Sequence, residues 1–371
     1  MFRMTSTIAF LATSSVVTAA TLHVPAHYNT IQDAIDAASS GDEVVVAPGV
    51  YTEAFAFKEP HITVRSSDGA ESTVIDGSQS QAYALAFFNT GTSGTLQGLT
   101  LRHFEHPFTG AVTVKDATAS IIDCIFEDNR NYFSGSALRI ELWSLGNAGQ
   151  AEVRGCTFRR NETSESGGAM SALLLDGESL LVSNCVFEEN TSEQGGHLAI
   201  NANGTDGSVT IDSCAFRDGH GDVPRVSLIN QSIGSEGERD VTFINCEFDE
   251  NDGPMLQVDG EVSLILSDST FAGTSNPTVQ LFPPSHAEIS NCTFCGMTVP
   301  VSGAWTDLGG NSFEDQCSCP GDGNGDGEVD VHDLLSIIAA FGEADSAWDF
   351  DDDGIVNVND MLILIGSWGG C

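Results

Sequence analysis

The segments DCIFEDN (123–129), GCTFRRN (155–161), NCVFEEN (184–190), SCAFRDG (213–219) and NCEFDEN (245–251) share one template. DSTFAGT (268–274) and NCTFCGM (291–297) continue it. Cys falls at 124, 156, 185, 214, 246 and 292, with Ser269 in the remaining slot, at spacings of 32, 29, 29, 32, 23 and 23 residues. Self-similarity of this kind marks a solenoid whose coils carry loops of differing length. Each repeat reads as two short strands about a corner. In Val209-Thr-Ile211-Asp-Ser-Cys214-Ala-Phe216, Val209 and Ile211 share a face; the corner then resets the alternation so that Cys214 and Phe216 also face inward. The corner residue before Cys is Asp, Gly, Asn, Ser, Asn, Asp and Asn in turn, and most of these tolerate a left-handed backbone. Stacking at about 4.8 Å then predicts a Phe ladder, a Cys ladder and corner Asn side chains bonded along the stack. The ladder cysteines are expected as buried free thiols, although stacked Cα atoms would also permit vertical disulfides.

Upstream, residues 21–55 read TLHVPAHYNTIQDAIDAASSGDEVVVAPGVYTEAF. Asn29 or Thr30 can cap a short helix in which Ile31, Ala34, Ile35 and Ala38 recur at helical spacing, and Val44-Val45-Val46 is a buried strand. This stretch resembles the opening of parallel β-helix proteins of the pectate-lyase and pectin-esterase superfamily, where it covers the open end of the solenoid. An uncovered first coil would expose apolar surface and unpaired backbone. Phe-x-x-Asn units at Phe126/Asn129, Phe158/Asn161, Phe187/Asn190 and Phe248/Asn251 alternate with Gly135-Ser136-Ala137, Gly167-Gly168-Ala169 and Gly195-Gly196-His197. That alternation is similar to the passenger repeats of polymorphic outer-membrane autotransporters, which implies a right-handed β-helix used for adhesion. The C-terminal membrane barrel of those proteins has no counterpart here. The expected fold is mainly β: a right-handed parallel β-helix over residues 21–315, with cap and first coil in 21–58.

Composition narrows the function. There are 53 Asp+Glu against 13 Lys+Arg, a formal net charge of −40, and no Lys or Arg follows Arg239. Such a chain repels nucleic acid and anionic lipid. Residues 1–20 read as a secretory signal peptide. Arg3 precedes the apolar or small runs Ile8–Ala12 and Val16–Ala20, and Val17-Thr18-Ala19 or Thr18-Ala19-Ala20 fits a cleavage site. No later stretch is long enough for a membrane span. The expectation is a secreted protein, free or associated with the cell surface, in a compartment that permits disulfides.

After Cys319-Pro320 two segments match a calcium loop. The first offers Asp322, Asn324, Asp326, Glu328, Asp330 and Asp333; the second offers Asp349, Asp351, Asp353, Ile355, Asn357 and Asp360. Oxygen side chains stand at loop positions 1, 3, 5, 9 and 12, with Gly327 and Gly354 at 6 and the Glu328 and Ile355 carbonyls at 7. Two Ca²⁺ ions are expected. The duplicated loop–helix over residues 316–371 resembles a type I dockerin, a small all-α module that docks onto cohesin. Dockerins use loop positions 10 and 11 and basic residues on the next helix. Here those positions are Val331-His332 and Val358-Asn359, and the module has no Lys or Arg. The resemblance thus implies a cohesin-like protein or a cell-surface component as partner. It further implies that Leu334, Leu335, Ile338 and Phe341 pack on Met361, Leu362, Ile365 and Trp368, that Val329 bridges Val356, and that Cys319 pairs with Cys371. Cys295 and Cys317 form a second expected pair. Cys292-x-x-Cys295 with Cys317-x-Cys319 has zinc-like spacing, but Cys292 already belongs to the inward ladder.

Catalytic residues are few. Gly219-His220-Gly221-Asp222 is the single echo of β-helix hydrolases, and Arg225 follows as Arg-Val-Ser. His220, Asp222 and Arg225 are therefore weak candidates beside the plainer reading of a loop. Arg102, His103 and His106 fall near one strand end, where surface residues are expected. The leading expectation is a β-helix that binds carbohydrate or a surface and is tethered through its calcium module. The alternative is a polysaccharide lyase or glycoside hydrolase, argued from architecture alone.

Overall fold

The computed structural model describes residues 19–370, apart from 59–60, 81, 144–148, 176, 194, 205–206, 218–223, 231–237, 252, 274–276, 316, 318–320, 325–327, 345 and 352. The expected signal peptide lies outside these residues except for its last two.

Among the described residues three parallel sheets hold 12, 11 and 10 strands, here sheets A, B and C. One coil shows the path. Val209–Asp212 lies in sheet A, Ala215–Arg217 in sheet B and Val226–Asn230 in sheet C, before the chain returns to sheet A at Arg239–Ile244. Ser213 makes the A-to-B corner with φ 53°. Every predicted corner is left-handed: Asp123, Gly155, Asn184, Ser213, Asn245, Asp268 and Asn291 have φ between 51° and 64°. The Gly-rich corner before sheet C repeats the device. Gly167 has φ 65°, and a Cβ there would stand 2.2 Å from the Met170 carbonyl oxygen, so only Gly fits.

Inside, the Phe ladder forms as predicted. Phe126, Phe158, Phe187, Phe216, Phe248, Phe271 and Phe294 stack with centroids 4.6–5.0 Å apart, and Phe313 extends the column at 5.4 Å. The six ladder cysteines are free and buried. Burial pushes the Cys246 and Cys292 thiols up to about 11, so they behave as small hydrophobes. Ser269 keeps its slot by accepting from Cys246 N at 3.0 Å and donating to Ser267 O at 2.8 Å.

The corner Asn side chains bond along the stack as predicted, and a second, continuous ladder stands beside them. Corner Asn245 and Asn291 donate to Asp212 and Asp268, each at 3.2 Å, rather than to other corner Asn residues. The continuous ladder belongs to the Phe-x-x-Asn residues. Asn129 Nδ2 donates to Asn161 Oδ1 at 3.0 Å, and Asn161 Nδ2 to Asn190 Oδ1 at 2.9 Å, all three being buried. Burial of the amides is matched by these bonds and by backbone partners such as Leu101 O and Phe158 O.

Helix α1 (Ile31–Ala37) caps the first coil. Thr30 is its N-cap, accepting from Asp33 N, and Ile31, Ala34 and Ile35 are buried. Sheet A begins at Thr21–Val24 beside Glu43–Val46. At the other end a disulfide joins Cys295 and Cys317, with Cα atoms 4.7 Å apart. That bond, with Cys292 inside the ladder, removes the zinc arrangement. Cys319 and Cys371 lie outside the described residues.

The C-terminal segment carries helices α2 (Val331–Ala339) and α3 (Val358–Gly366). Their core is Val329, Ile337, Ala340, Val356 and Leu364, with Leu334, Trp348, Phe350 and Met361 against it. Two expectations are corrected here. Leu335, Ile338, Phe341, Leu362, Ile365 and Trp368 are exposed, not packed between the helices. Helices apolar on most of their circumference leave the buried stripe undecided by spacing. Val329 and Val356 share the core but do not bridge each other. Val329 pairs with Gly369, while Val356 exchanges backbone bonds with Gly342 and Glu343. The second pairing is the first displaced by 27 residues, so the duplication persists in the hydrogen bonding.

Candidate functional site

A trough crosses sheet C. Its floor is built by alternation: Val112, Val114, Leu138, Ile140, Leu198 and Ile200 point into the core, so their neighbours point out. In register, one outward column runs Phe87, Thr113, Arg139, Ser171, Ala199, Ser227. The next runs Lys115, Glu141, Leu173, Asn201, Ile229. Two adjoining cavities, of about 440 Å³ and 330 Å³, meet at Ser134, Arg139, Glu141 and Ser166 and form one groove along these columns. Small residues keep the floor of the second cavity low.

Aromatic rings form its walls. Tyr83, Phe108 and Phe133 line the first cavity and are exposed. Phe108 and Phe133 stack at 5.1 Å, and Tyr83 lies 5.0 Å from the His106 ring. His106 is fixed by Thr109 Oγ1 at 2.8 Å, and burial lowers its pKa. Trp143 is also exposed, and the Lys115 ammonium sits 5.6 Å above its ring. The Trp143 backbone N–H is held by Asp116 Oδ1 at 2.9 Å. Arg139 is clamped between Glu141, at 2.6 Å, and the Phe108 carbonyl, at 2.8 Å. Exposed rings beside hydrogen-bonding groups in a cleft make a surface for a ligand with both C–H faces and hydroxyls.

The candidates chosen from sequence fall elsewhere. His220 and Asp222 lie outside the described residues. Arg225 is fully buried within the coil, next to His197, and cannot touch a substrate. Arg102 and His103 belong to an ionic network on sheet B and its corner. Asp76 accepts from Arg102 at 3.1 Å and lies 3.2 Å from His103, while Glu127 takes Arg159 at 2.7 Å. Burial pushes the Asp76 carboxyl up, but bonds from Ser78, Arg102 and His103 outweigh it and hold the group well below the usual range. Sequence reasoning missed Tyr83, Phe108, Phe133 and Trp143, which belong to no repeat.

In the second acidic loop, carboxylate oxygens of Asp349, Asp351 and Asp353 lie within 4.8 Å of one another. Gly354 N donates to Asp349 Oδ2 at 2.8 Å and Asp353 N to Asp349 Oδ1 at 3.2 Å, which curls the loop around these oxygens. Asn357 Nδ2 holds Asp353 Oδ2 at 2.9 Å and the Ile355 carbonyl at 3.1 Å. Asp360 is buried, accepting from Phe350 N, Asp351 N and Asn357 N at 2.6–3.2 Å. Partial desolvation and the neighbouring charges of Asp353, Asp360 and Asp349 raise the Asp351 pKa. A hard-oxygen donor set crowded enough to repel itself fits a divalent cation. In the first loop Asp333 mirrors Asp360, accepting from Asn324 N at 3.3 Å and Asp330 N at 3.0 Å. Asp326 and the Glu328 side chain lie outside what is described, and the Asp322 ligand role rests on sequence position.

Comparison with known proteins places the body. The profile described as "Right handed beta helix region" matches residues 144–303. Pectate lyase Pel9A superposes with a TM-score of 0.53 at 15% identity, over 82% of this chain and 83% of that one. The pectin methylesterase of Aspergillus niger gives 0.39 at 15% identity, over 82% and 92%. PemA of Erwinia chrysanthemi, also a pectin methylesterase, gives 0.42 at 12%, over 79% and 94%. No curated protein sequence matches the chain. The fold of the body is thus a right-handed parallel β-helix, the fold onto which the pectate lyase superposes. Among the described residues no helix is long and apolar enough to cross a membrane.

Proposed function

We propose that the body binds a glycan chain in the sheet C trough, and that the C-terminal module tethers the exported protein to a partner in a calcium-dependent way. The carrying observation is the convergence of Tyr83, Phe108 and Phe133 on a groove whose floor also offers Lys115, Arg139, Glu141 and Asn201. Sugar rings present apolar C–H faces to aromatic planes and hydroxyls to charged and amide groups. Pel9A is a pectate lyase by name, which puts pectic glycans on the panel to be tried. Binding of the full chain to immobilised pectic, alginate and neutral glycans tests the reading. Phe133→Ala and Phe108→Ala should each weaken capture about tenfold without lowering the melting temperature. Capture unchanged in both variants would remove the trough from the account.

The module would hold one ion with Asp349, Asp351, Asp353, Asn357, Asp360 and the Ile355 carbonyl. A second would take Asp322, Asn324, Asp326, Asp330, Asp333 and the Glu328 carbonyl. The partner would be cohesin-like or another cell-surface component. Leu335, Ile338 and Phe341 recur 27 residues later as Leu362, Ile365 and Trp368, all exposed. With no Lys or Arg in the module, the contact would rest on these apolar side chains.

A further inference from the structure

We propose that Lys115 is the single anion subsite of the trough, so that its ligand is a largely neutral glycan carrying isolated acidic groups; this rests on the trough being a glycan site. The argument begins with pairing. Among the described residues every other Lys or Arg that reaches solvent has a carboxylate within 3.7 Å. Arg225 and Arg239 are buried. In a chain with 53 acidic side chains against 13 basic ones, a surface cation without a carboxylate is the exception.

The local geometry explains how Lys115 stays free. Its partner across the sheet is Glu141, the natural cross-strand counterion. Glu141 is taken instead by Arg139 at 2.6 Å, and Arg139 is held in place from the Phe108 carbonyl. Lys115 therefore rests over Trp143, its Nζ 5.6 Å from the ring centroid. Lys115 lines the cavity with Phe87, Phe108 and Phe133, so a sugar seated there would bring an equatorial or exocyclic anion within reach of that ammonium.

The same groups set a limit on charge density. Arg139 and Glu141 cancel, and Glu165 also lines the trough. A polymer with a charge on every sugar would place only one anion at Lys115. It would set the others against Glu141, Glu165 and a chain of net charge −40, at distances where screening is incomplete. A carboxylate or a sulfate would satisfy Lys115 equally.

The test uses the full chain and four probes: a xylan with sparse glucuronate side groups, the same xylan after carboxyl reduction, a sparsely sulfated neutral glycan, and polygalacturonate. The wild type should prefer the sparse uronate about tenfold over its reduced form, and polygalacturonate should bind more weakly than either. Lys115→Met, which keeps an apolar chain over Trp143, should abolish the preference while retaining the reduced form. Lys115→Arg should restore it. Preference for the sulfated glycan alone identifies sulfate as the anion. Equal binding of the acidic xylan, the reduced xylan and the sulfated glycan, tightest binding of polygalacturonate, or a Lys115→Met variant with the wild-type ratio would each overturn the anion subsite. Loss of neutral binding on Phe133→Ala would still uphold the trough in those cases. No binding to any probe would overturn both.

Discussion

His197 and Arg225 stand one above the other, bonded backbone to backbone, in a column whose preceding members are Ala137 and Ala169. Both are fully buried. Burial and the Arg225 charge push the His197 pKa down to about 3, and its Nδ1 lies 3.2 Å from Asn190 Nδ2 at the end of the Asn ladder. An unfolded His takes its proton near 6.5. Between those values the unfolded chain holds the extra proton, so acid favours unfolding. His197→Gln should flatten the fall of stability from about pH 6.5 to 4, as followed by denaturant midpoints across that range. An unchanged pH slope would mean that His197 titrates normally. In the Phe column, Phe187→Ala should cost about 3–5 kcal/mol. Phe187→Asp should prevent folding of the body, because a carboxylate would lie between Phe158 and Phe216 with no partner. Circular dichroism melts decide both. A Phe187→Asp variant that melts like the parent would contradict the register.

At the scale of elements, the Asn ladder gives its own prediction. Removing the Asn161 side chain leaves the amide of Asn129 and the oxygen of Asn190 short of partners. Asn161→Ala should therefore destabilise by about 2–3 kcal/mol in denaturant unfolding. A change below about 0.5 kcal/mol would show that the ladder is not built as described. The strands and corners were readable in advance because each coil repeats one pattern: alternation, a corner residue that accepts positive φ, then Cys-x-Phe. The continuous Asn ladder was not. Asn184 and Asn129 sit in equally polar surroundings of the sequence, and only coil geometry decides which amide turns inward. The same holds for α2 and α3. Val331, Leu334, Leu335, Ile337 and Ile338 are apolar on several sides, and spacing cannot say that Ile337 is buried while Leu335 and Ile338 face solvent. The trough was invisible for a related reason. Tyr83, Phe108 and Phe133 come from different loops with no common motif, and stacking of coils alone makes them neighbours.

The whole molecule combines a rigid body with an acidic module, and the two should respond differently to a cation. Helices α2 and α3 have nine residues each and cannot persist alone in water. Bound calcium would relieve the repulsion among Asp349, Asp351 and Asp353, so binding should appear as folding free energy of the module. In the full chain, adding calcium after chelation should protect amides of residues 328–370 from hydrogen exchange and leave the sheets unchanged. Asp349→Ala with Asp353→Ala should abolish the effect in the second loop. Protection already complete in chelator would remove the metal from the account. The claim that the sheet C face is a glycan site is tested most directly by the same exchange measurement with ligand in place of calcium. With the sparse-uronate xylan at saturation, slower exchange should be confined to 83–88, 108–115, 133–142, 166–173, 199–201 and 227–229. Protection on sheet A or B, or none on sheet C at a concentration where the glycan is bound, would contradict it.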